Sequence, residues 1–490
     1  MRNKQLRLLA ISFSLIMIIA FPAITLAQTD ISGTFKTNVI WDQDAEKLMD
    51  DEILNLVLER DFGLDANLNL DLQFNSYRRD QRISVNEKGE PVIEDMAQSE
   101  RELDLELSEA YLNYYTDNMD WTLGKQVINW GSSFELQPTN YFNPQDFNAL
   151  DPIDAKVGVT AINGTYYAPE NIQVTGILTP FFEAHQMREI DEIKQQIAFA
   201  ENGKGQMGQA IYNQLEELSL ESFNQNINSN DITQSLAVDS GLEEVEDKLE
   251  NIQGGIKITK RRWGRVDVSA SAYRGRDKMP VLNVEEFSGE VAELIKSYGM
   301  YLQQYTAGPA ATQQPMNFVE WYQDDSGDRV ASPEKEVKYL YPQATRLGLD
   351  IIGDFNQFGG WLELAYSIYD QDQFASRLEA TIGLDRRFSN GLYLVGQYYH
   401  RQGRLEAEDN LNLAMVNLDK TILDFHNIQL TTMYEFESDS YMAEVKFDYS
   451  LTDTVTWQSG LTYSKVGSAQ GGLLATMGSD RIYTGIQVDF

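Results

Sequence analysis

In the stretch LDANLNLDLQFNS, Leu64, Ala66, Leu68, Leu70, Leu72 and Phe74 occupy one parity, and Asp65, Asn67, Asn69, Asp71, Gln73 and Asn75 the other. Only a two-residue period separates the sets, so the segment predicts a strand with one apolar and one polar face. The same alternation returns in RELDLELS, RVDVSASAY, SRLEATIGLDRRF, SYMAEVKFDYS and TVTWQSGLTYS. Such segments suit a tilted strand of about 9–11 residues crossing a bilayer. Seventeen candidates lie between 31–41 and 480–490. A single-chain bacterial barrel has an even number of strands, so about sixteen are expected. Either 52–61 is not a strand or one is hidden between 402 and 426.

The polar parity carries Asp, Glu, Lys and Arg with Ser, Gln and Gly. The apolar parity is read as carrying aromatics near strand ends: Tyr111, Tyr114, Tyr115, Trp121, Trp361, Tyr366, Tyr369, Tyr398 and Tyr399. Tight connections (116–120, 168–171, 263–265, 389–391) alternate with long ones (78–100, 130–155, 182–251, 277–342, 402–424). A wet lumen, a lipid-facing band, and short turns on one rim with long loops on the other are features of an outer-membrane barrel. The expected fold class is therefore all-β: a transmembrane antiparallel β-barrel of about 16 strands with long, partly helical extracellular loops. REIDEIKQQIAFA, GLEEVEDKLENI and VEEFSGEVAELIKSYGMYLQQY are the helical patterns, read as solvated caps within acidic insertions at about 183–251 and 277–342. In the closing RIYTGIQVDF, Ile482, Thr484, Ile486, Val488 and Phe490 face one way. That ending resembles the C-terminal signal read by the barrel assembly machinery, an expected partner during biogenesis.

Arg2, Lys4 and Arg7, the apolar run LLAISFSLIMIIAF and the small-residue site Thr25-Leu26-Ala27 read as a secretory signal over residues 1–27. The barrel then occupies 28–490, with no room for a folded N-terminal plug. The expected location is the outer membrane of a Gram-negative bacterium, with its lipid as the surrounding partner. The chain has no cysteine, which excludes a lipoprotein anchor and fits an exported protein. A net charge of −36 repels nucleic acid and anionic headgroups, so no nucleic-acid partner is expected. A homotrimer is possible from the fold class, though no interface patch stands out. Only His185, His400 and His426 exist, none in the His-x-Ser spacing of outer-membrane phospholipases. No catalytic residue, metal site or cofactor is expected, and the protein is read as a non-enzyme.

GKQVINWG is followed by PTNYFNPQDF, then VDVSASAYRGRDKMPVL and YPQATRLGLDIIGDFNQFGGWLELAY. These motifs resemble a widespread family of Gram-negative outer-membrane proteins of unknown function, porin-like or grouped loosely with alginate-export-type barrels. Gly124, Lys125, Gln126, Trp130, Gly131, Asn143, Pro144, Asp146, Tyr273, Gly275, Asp277, Pro280 and Val281 carry the likeness, over roughly residues 100–370. It implies a porin-like fold far more firmly than a role.

Large aromatics beside Asn and Pro are not needed on a rim facing water. Segment 131–155 is therefore expected to fold inward, with Trp130, Phe134, Tyr141 and Phe142 against the inner wall; an external cap is the alternative. Trp130, Glu135, Asp146, Asp151 and Asp154 are then the expected pore constriction. Lys257, Arg261, Asp267, Arg377, Glu379, Asp385 and Arg387 supply the polar lumen. The function read from this is a porin-like channel for small hydrophilic solutes, preferring cations. The alternative is a partner-dependent exporter or receptor for a polymer or an apolar compound.

Overall fold

The computed structural model describes residues 29–42, 47–85, 91–95, 102–147, 149, 155–186, 243, 245–283, 339–403, 410–467, 473–474 and 480–490. Its wall is one closed antiparallel sheet. The first strands are β1 (Thr29–Asp42), β2 (Lys47–Phe62), β3 (Ala66–Val85), β4 (Glu102–Tyr115) and β5 (Met119–Gln126). They are followed by β6 (Val159–Ala168), β7 (Ile172–Thr179), β8 (Gln253–Trp263), β9 (Val266–Arg276) and β10 (Gln343–Phe355). Then come β11 (Phe358–Tyr369), β12 (Arg377–Arg387), β13 (Leu392–Arg401) and β14 (Leu411–Ile422). The circuit ends with β15 (His426–Glu435), β16 (Ser440–Ser450), β17 (Val455–Lys465) and β18 (Arg481–Asp489). Each strand pairs with its chain neighbour, and β1 pairs with β18 to close the ring. At the seam, Gly33 and the terminal Phe490 exchange backbone hydrogen bonds of 2.8 and 2.9 Å.

The wall has eighteen strands rather than about sixteen. All seventeen expected segments are present, including 52–61 within β2, and the hidden strand is β14. It escaped the alternation test because its inward Leu411, Leu413 and Met415 are as apolar as its outward Ala414, Val416 and Leu418. Leu411, Leu413 and Met415 point inward yet are buried, under Phe134, Leu136 and Phe147 of an internal loop. Segment 402–424 is thus largely strand.

The barrel is inverted relative to a water-soluble protein. Ile256, Ile258, Ile382 and Leu384 stand outward and are at least half exposed, whereas inward Thr381, Glu363 and Asn417 are buried. An apolar outer band suits lipid, and closure leaves no open sheet edge whose backbone groups would need water. Among the nine aromatics read as girdle residues, Tyr114, Tyr366 and Tyr398 do face out. Trp361, Tyr369 and Tyr399 are a correction, since they sit on the buried inward parity.

Short turns at 63–65, 116–118, 169–171, 264–265 and 356–357 form one rim, shared with the start of β1 and the end of β18. The long connections form the other. Of the expected helices, 189–201 and 284–305 lie outside the described residues. The described part of 241–252 holds only a single 3-10 turn, Leu249–Asn251. Its backbone is committed elsewhere: the Glu243 N–H donates to the Tyr339 carbonyl, and its carboxylate accepts from the Tyr341 N–H and pairs with Arg276. Bonds to a neighbouring segment outweigh a weak helical preference.

Candidate functional site

Between β5 and β6 the chain leaves the wall and turns into the lumen. The departure needs Gly124, whose φ of +129° is open only to glycine and whose missing Cβ would lie 2.1 Å from the Ala110 carbonyl. Beyond it, the Val127 N–H donates to the Glu109 carboxylate at 2.6 Å. Asn143 then ties the loop together, accepting from the Ile128 N–H and donating to the Val157 carbonyl, both at 2.8 Å. Trp130, Tyr141 and Phe142 enter a buried cluster with Val159, Ile177, Ala365 and Tyr273. Phe142 meets Trp130 and Tyr273 edge-on, each with ring centroids 5.0 Å apart.

Polar anchors hold the rest of the loop to the wall of β8–β13. Glu363, fully buried on β11, accepts from the backbone N–H groups of Ser132, Ser133 and Thr139 and from the Thr139 hydroxyl. Gly131 permits this approach, because a Cβ there would stand 3.0 Å from the Glu363 carboxylate. The Thr139 hydroxyl also lies 2.8 Å from Asp350, which pairs with Lys257 at 2.9 Å. Lys257 donates onward to the Trp130 carbonyl. Farther round, Thr381 and Gln397 both donate to the Leu136 carbonyl. The loop therefore lies inside the barrel and not over its mouth.

The motif residues converge on this docking. Tyr273 donates to Gln253 at 2.7 Å, and Asp277 pairs with Arg346, which lies over the rings of Tyr141 and Tyr273. Trp130 is only 2 % exposed, so it anchors the loop instead of lining an aperture, a correction to its expected place. Glu135 and Asp146 are half-buried on the described part of the loop; Asp151 and Asp154 lie outside the described residues. Lys257, Arg261, Asp267, Arg377, Glu379, Asp385 and Arg387 all occupy the inward parity. Arg377 pairs with Glu379 at 2.6 Å, and Tyr399 donates to Glu379. The anchors Glu363, Asp350, Thr139 and Arg346 went unread in the sequence. In a strand such as GGWLELAY, an inward carboxylate that grips a loop has the same periodicity as one that meets water.

Charge is divided around the lumen. From Asp51 to Asn75 and from Asp104 to Tyr115, the inward parity carries Asp51, Glu59, Asp61, Asp71, Asp104, Glu106 and Glu109 and no Lys or Arg. Of these, Glu106 is partly offset by Lys125 at 3.7 Å. The wall of β8–β13 mixes acids with Lys257, Arg261, Arg346, Arg377 and Arg401.

A staple joins the loop to the connection after β7. His185 Nδ1 accepts from the Gln145 N–H at 2.8 Å, and the strands of chain around them exchange bonds at Gln186–Gln145 and Phe147–Gln186. Burial, and then the nearby Lys278 ammonium, hold the His185 imidazole at about 3, below its ordinary 6.5. Only the neutral ring can accept at Nδ1. An opened staple takes up a proton below about pH 6.5, whereas the closed one does so only near 3. The staple is thus fully stable above about pH 6.5 and weakens as pH falls towards 3. Hydrogen exchange at Gln145 and Phe147 is expected to accelerate over that window after correction for intrinsic rates, and His185→Gln should flatten the dependence.

An apolar exterior around a polar lumen that holds an inward-folded loop defines a transmembrane β-barrel of porin-like build. The chain belongs to the family described as "Protein of unknown function (DUF1302)", whose model matches residues 59–348 and so includes the motif residues from Gly124 to Val281. No curated protein sequence matches the chain. Solved structures similar to it include Pseudomonas aeruginosa OccK5 (OpdH), at 6% identity and TM-score 0.47, covering 95% of this chain and 97% of that one. Acinetobacter baumannii OccAB4 gives 9% identity and TM-score 0.44, over 94% and 97% of the two chains. Pseudomonas putida OprB gives 9% and 0.37, over 94% and 92%.

Proposed function

We propose that this protein is an outer-membrane channel for small hydrophilic solutes that prefers cations. The observation that carries the reading is the docked loop. By filling the lumen beside β8–β14, it leaves the remaining passage bordered by the inward faces of β2–β4, whose charged residues from Asp51 to Asn75 and from Asp104 to Tyr115 are all acidic. Fixed negative charge in a narrow passage with low-dielectric walls favours cations, and more so at low salt. Glu135 and Asp146 are proposed to add to that potential from the loop side. An exporter of apolar compounds would call for a greasy inner path, and the inward residues beside this passage are mostly Asn, Gln, Asp and Glu.

Planar-bilayer reversal potentials under a salt gradient test the reading. The wild-type channel is expected to reverse on the cation-selective side, by less at high salt. Glu135→Gln with Asp146→Asn should move the reversal potential towards anions with the folded gel band unchanged. Deleting 190–240, which spares the Glu243–Arg276 pair, should leave ion preference where it was. A wild-type chain that folds but never conducts would sink the channel reading and favour the partner-dependent one.

A further inference from the structure

The net charge of −36 is not spread evenly over the wall. On the half of each strand nearest the short turns, the charged residues of the outward parity among the described residues are Arg60, Lys260, Arg386 and Lys420. Acids beside them in the chain turn inward, as Glu59, Asp61, Asp385 and Asp419 do. Near the end of a lipid-facing band, a long basic side chain reaches the level of the headgroups. All four positions carry the sign that meets phosphate.

Two of the four stand apart from the others. Lys260 is answered by Glu170 of the adjoining turn at 3.9 Å, and Arg60 is isolated on β2. Arg386 and Lys420 lie on the two strands that flank β13, opposite its Leu394 and Leu392, and neither pairs with a carboxylate among the described residues. Arg386 is also held in place. It donates to Gln357, and its guanidinium lies 4.9 and 4.7 Å from the ring centroids of Phe358 and Phe388. A guanidinium seated against rings keeps its other N–H groups for a phosphate.

Between these cations the outer wall has an opening. Gly396 is the next outward residue of β13 after Leu394, and a Cβ built there meets no atom within 4 Å. Its outward cross-strand neighbours are Leu384 and Val416. The result is an apolar notch one side chain deep, roughly 7 Å along the strand from the position opposite Arg386. Outward Gly164 shows the other outcome, since the Trp121 ring lies across it. Gly176 is open as well, but the nearest outward cation on its neighbour β8 is the paired Lys260.

We infer that the outer face of β12–β14 is a binding site for a phospholipid of net negative charge, with its headgroup at Arg386 and Lys420 and one acyl chain in the notch at Gly396. A zwitterionic headgroup would bring a further cation to a place that already holds two without carboxylate partners. A headgroup charged only at its phosphate brings none. An acidic protein would meet the exposed bases of the turn, Arg262 and Arg265, and has no use for a notch inside the apolar band. The inference rests on the barrel spanning a bilayer and is independent of conduction.

The test uses the full chain, folded in a nonionic detergent, with phosphatidylglycerol and phosphatidylethanolamine of identical acyl chains as probes at equal concentration. Lipid retained through purification is counted by mass spectrometry. The wild type is expected to retain phosphatidylglycerol about fivefold over phosphatidylethanolamine, and Arg386→Gln with Lys420→Gln should abolish the preference. Gly396→Leu fills the notch while keeping both cations, and should cut phosphatidylglycerol retention several-fold. Equal retention of the two lipids by the wild type would overturn the site, as would an unchanged preference in the double variant or unchanged retention in Gly396→Leu. Displacement of the lipid by millimolar glycerol 3-phosphate would also overturn it, by marking a site for free phosphate. An equal loss of preference in Lys260→Gln with Arg265→Gln would do the same, by assigning the effect to the rim charge as a whole. Heat-modifiable gel mobility confirms folding of each variant. If the double variant does not fold, Gly396→Leu and the glycerol 3-phosphate competition decide.

Discussion

Replacing Glu363 with Gln is expected to release the inward loop and raise single-channel conductance several-fold, with ion selectivity largely lost. One buried carboxylate accepts from three backbone N–H groups and one hydroxyl of the loop. Hydrogen bonds to a charged group contribute roughly 1.5–3 kcal/mol each, and buried donors left unpaired cost about as much again. A glutamine also turns an N–H₂ towards donors that need an acceptor. The eighteen-strand wall does not depend on this contact, because its strands pair with one another and not with the loop. Heat-modifiable gel mobility should therefore remain that of a folded barrel. If the conductance of Glu363→Gln equals the wild type, the loop is not what limits the passage.

Asp277→Ala should be the most destabilising single change near the long-connection rim, at about 3–5 kcal/mol, the usual cost of stripping one partner from a buried ion pair. Both partners are almost wholly enclosed, and Asp277 also accepts from the Tyr369 hydroxyl at 3.0 Å. Without it, the Arg346 guanidinium would remain buried against Tyr141 and Tyr273 with its directly paired carboxylate gone. Adding Arg346→Met should recover much of the loss, since an apolar chain of similar length can pack against the same rings. Melting of the folded gel band with temperature reads both variants. A double variant as unstable as the single one would show that packing, not the unpaired charge, sets the cost.

The two changes act on residues of different legibility. Asp277 stands in a motif that marked it for attention, although its partner Arg346 did not. Glu363 looked like any lumenal acid. The same division runs through the loop. Its inward course was legible because Trp130, Tyr141 and Phe142 are too large and too apolar for a wet rim. Their division of labour was not, and Trp130 proved an anchor although it had been placed at the aperture. The motif glycines likewise announced a backbone demand without saying what it was. For Gly124 it is a positive φ with a close approach to the Ala110 carbonyl, and for Gly131 it is the approach of Glu363.

By itself the sequence determined the strands, their facing and the closed barrel. A two-residue period is a local property, and lipid outside with water inside imposes it on almost every strand. What only the tertiary structure decided is where that rule is suspended. On β14 the inward Leu411, Leu413 and Met415 meet Phe134, Leu136 and Phe147 in place of water, and the alternation that reveals other strands disappears. On β11 and β13 the inward Trp361 and Tyr399 serve the same side of the lumen. The physical reason is common to all of them: periodicity records which solvent a side chain faces. Only the folded chain determines whether a remote segment has taken that solvent's place.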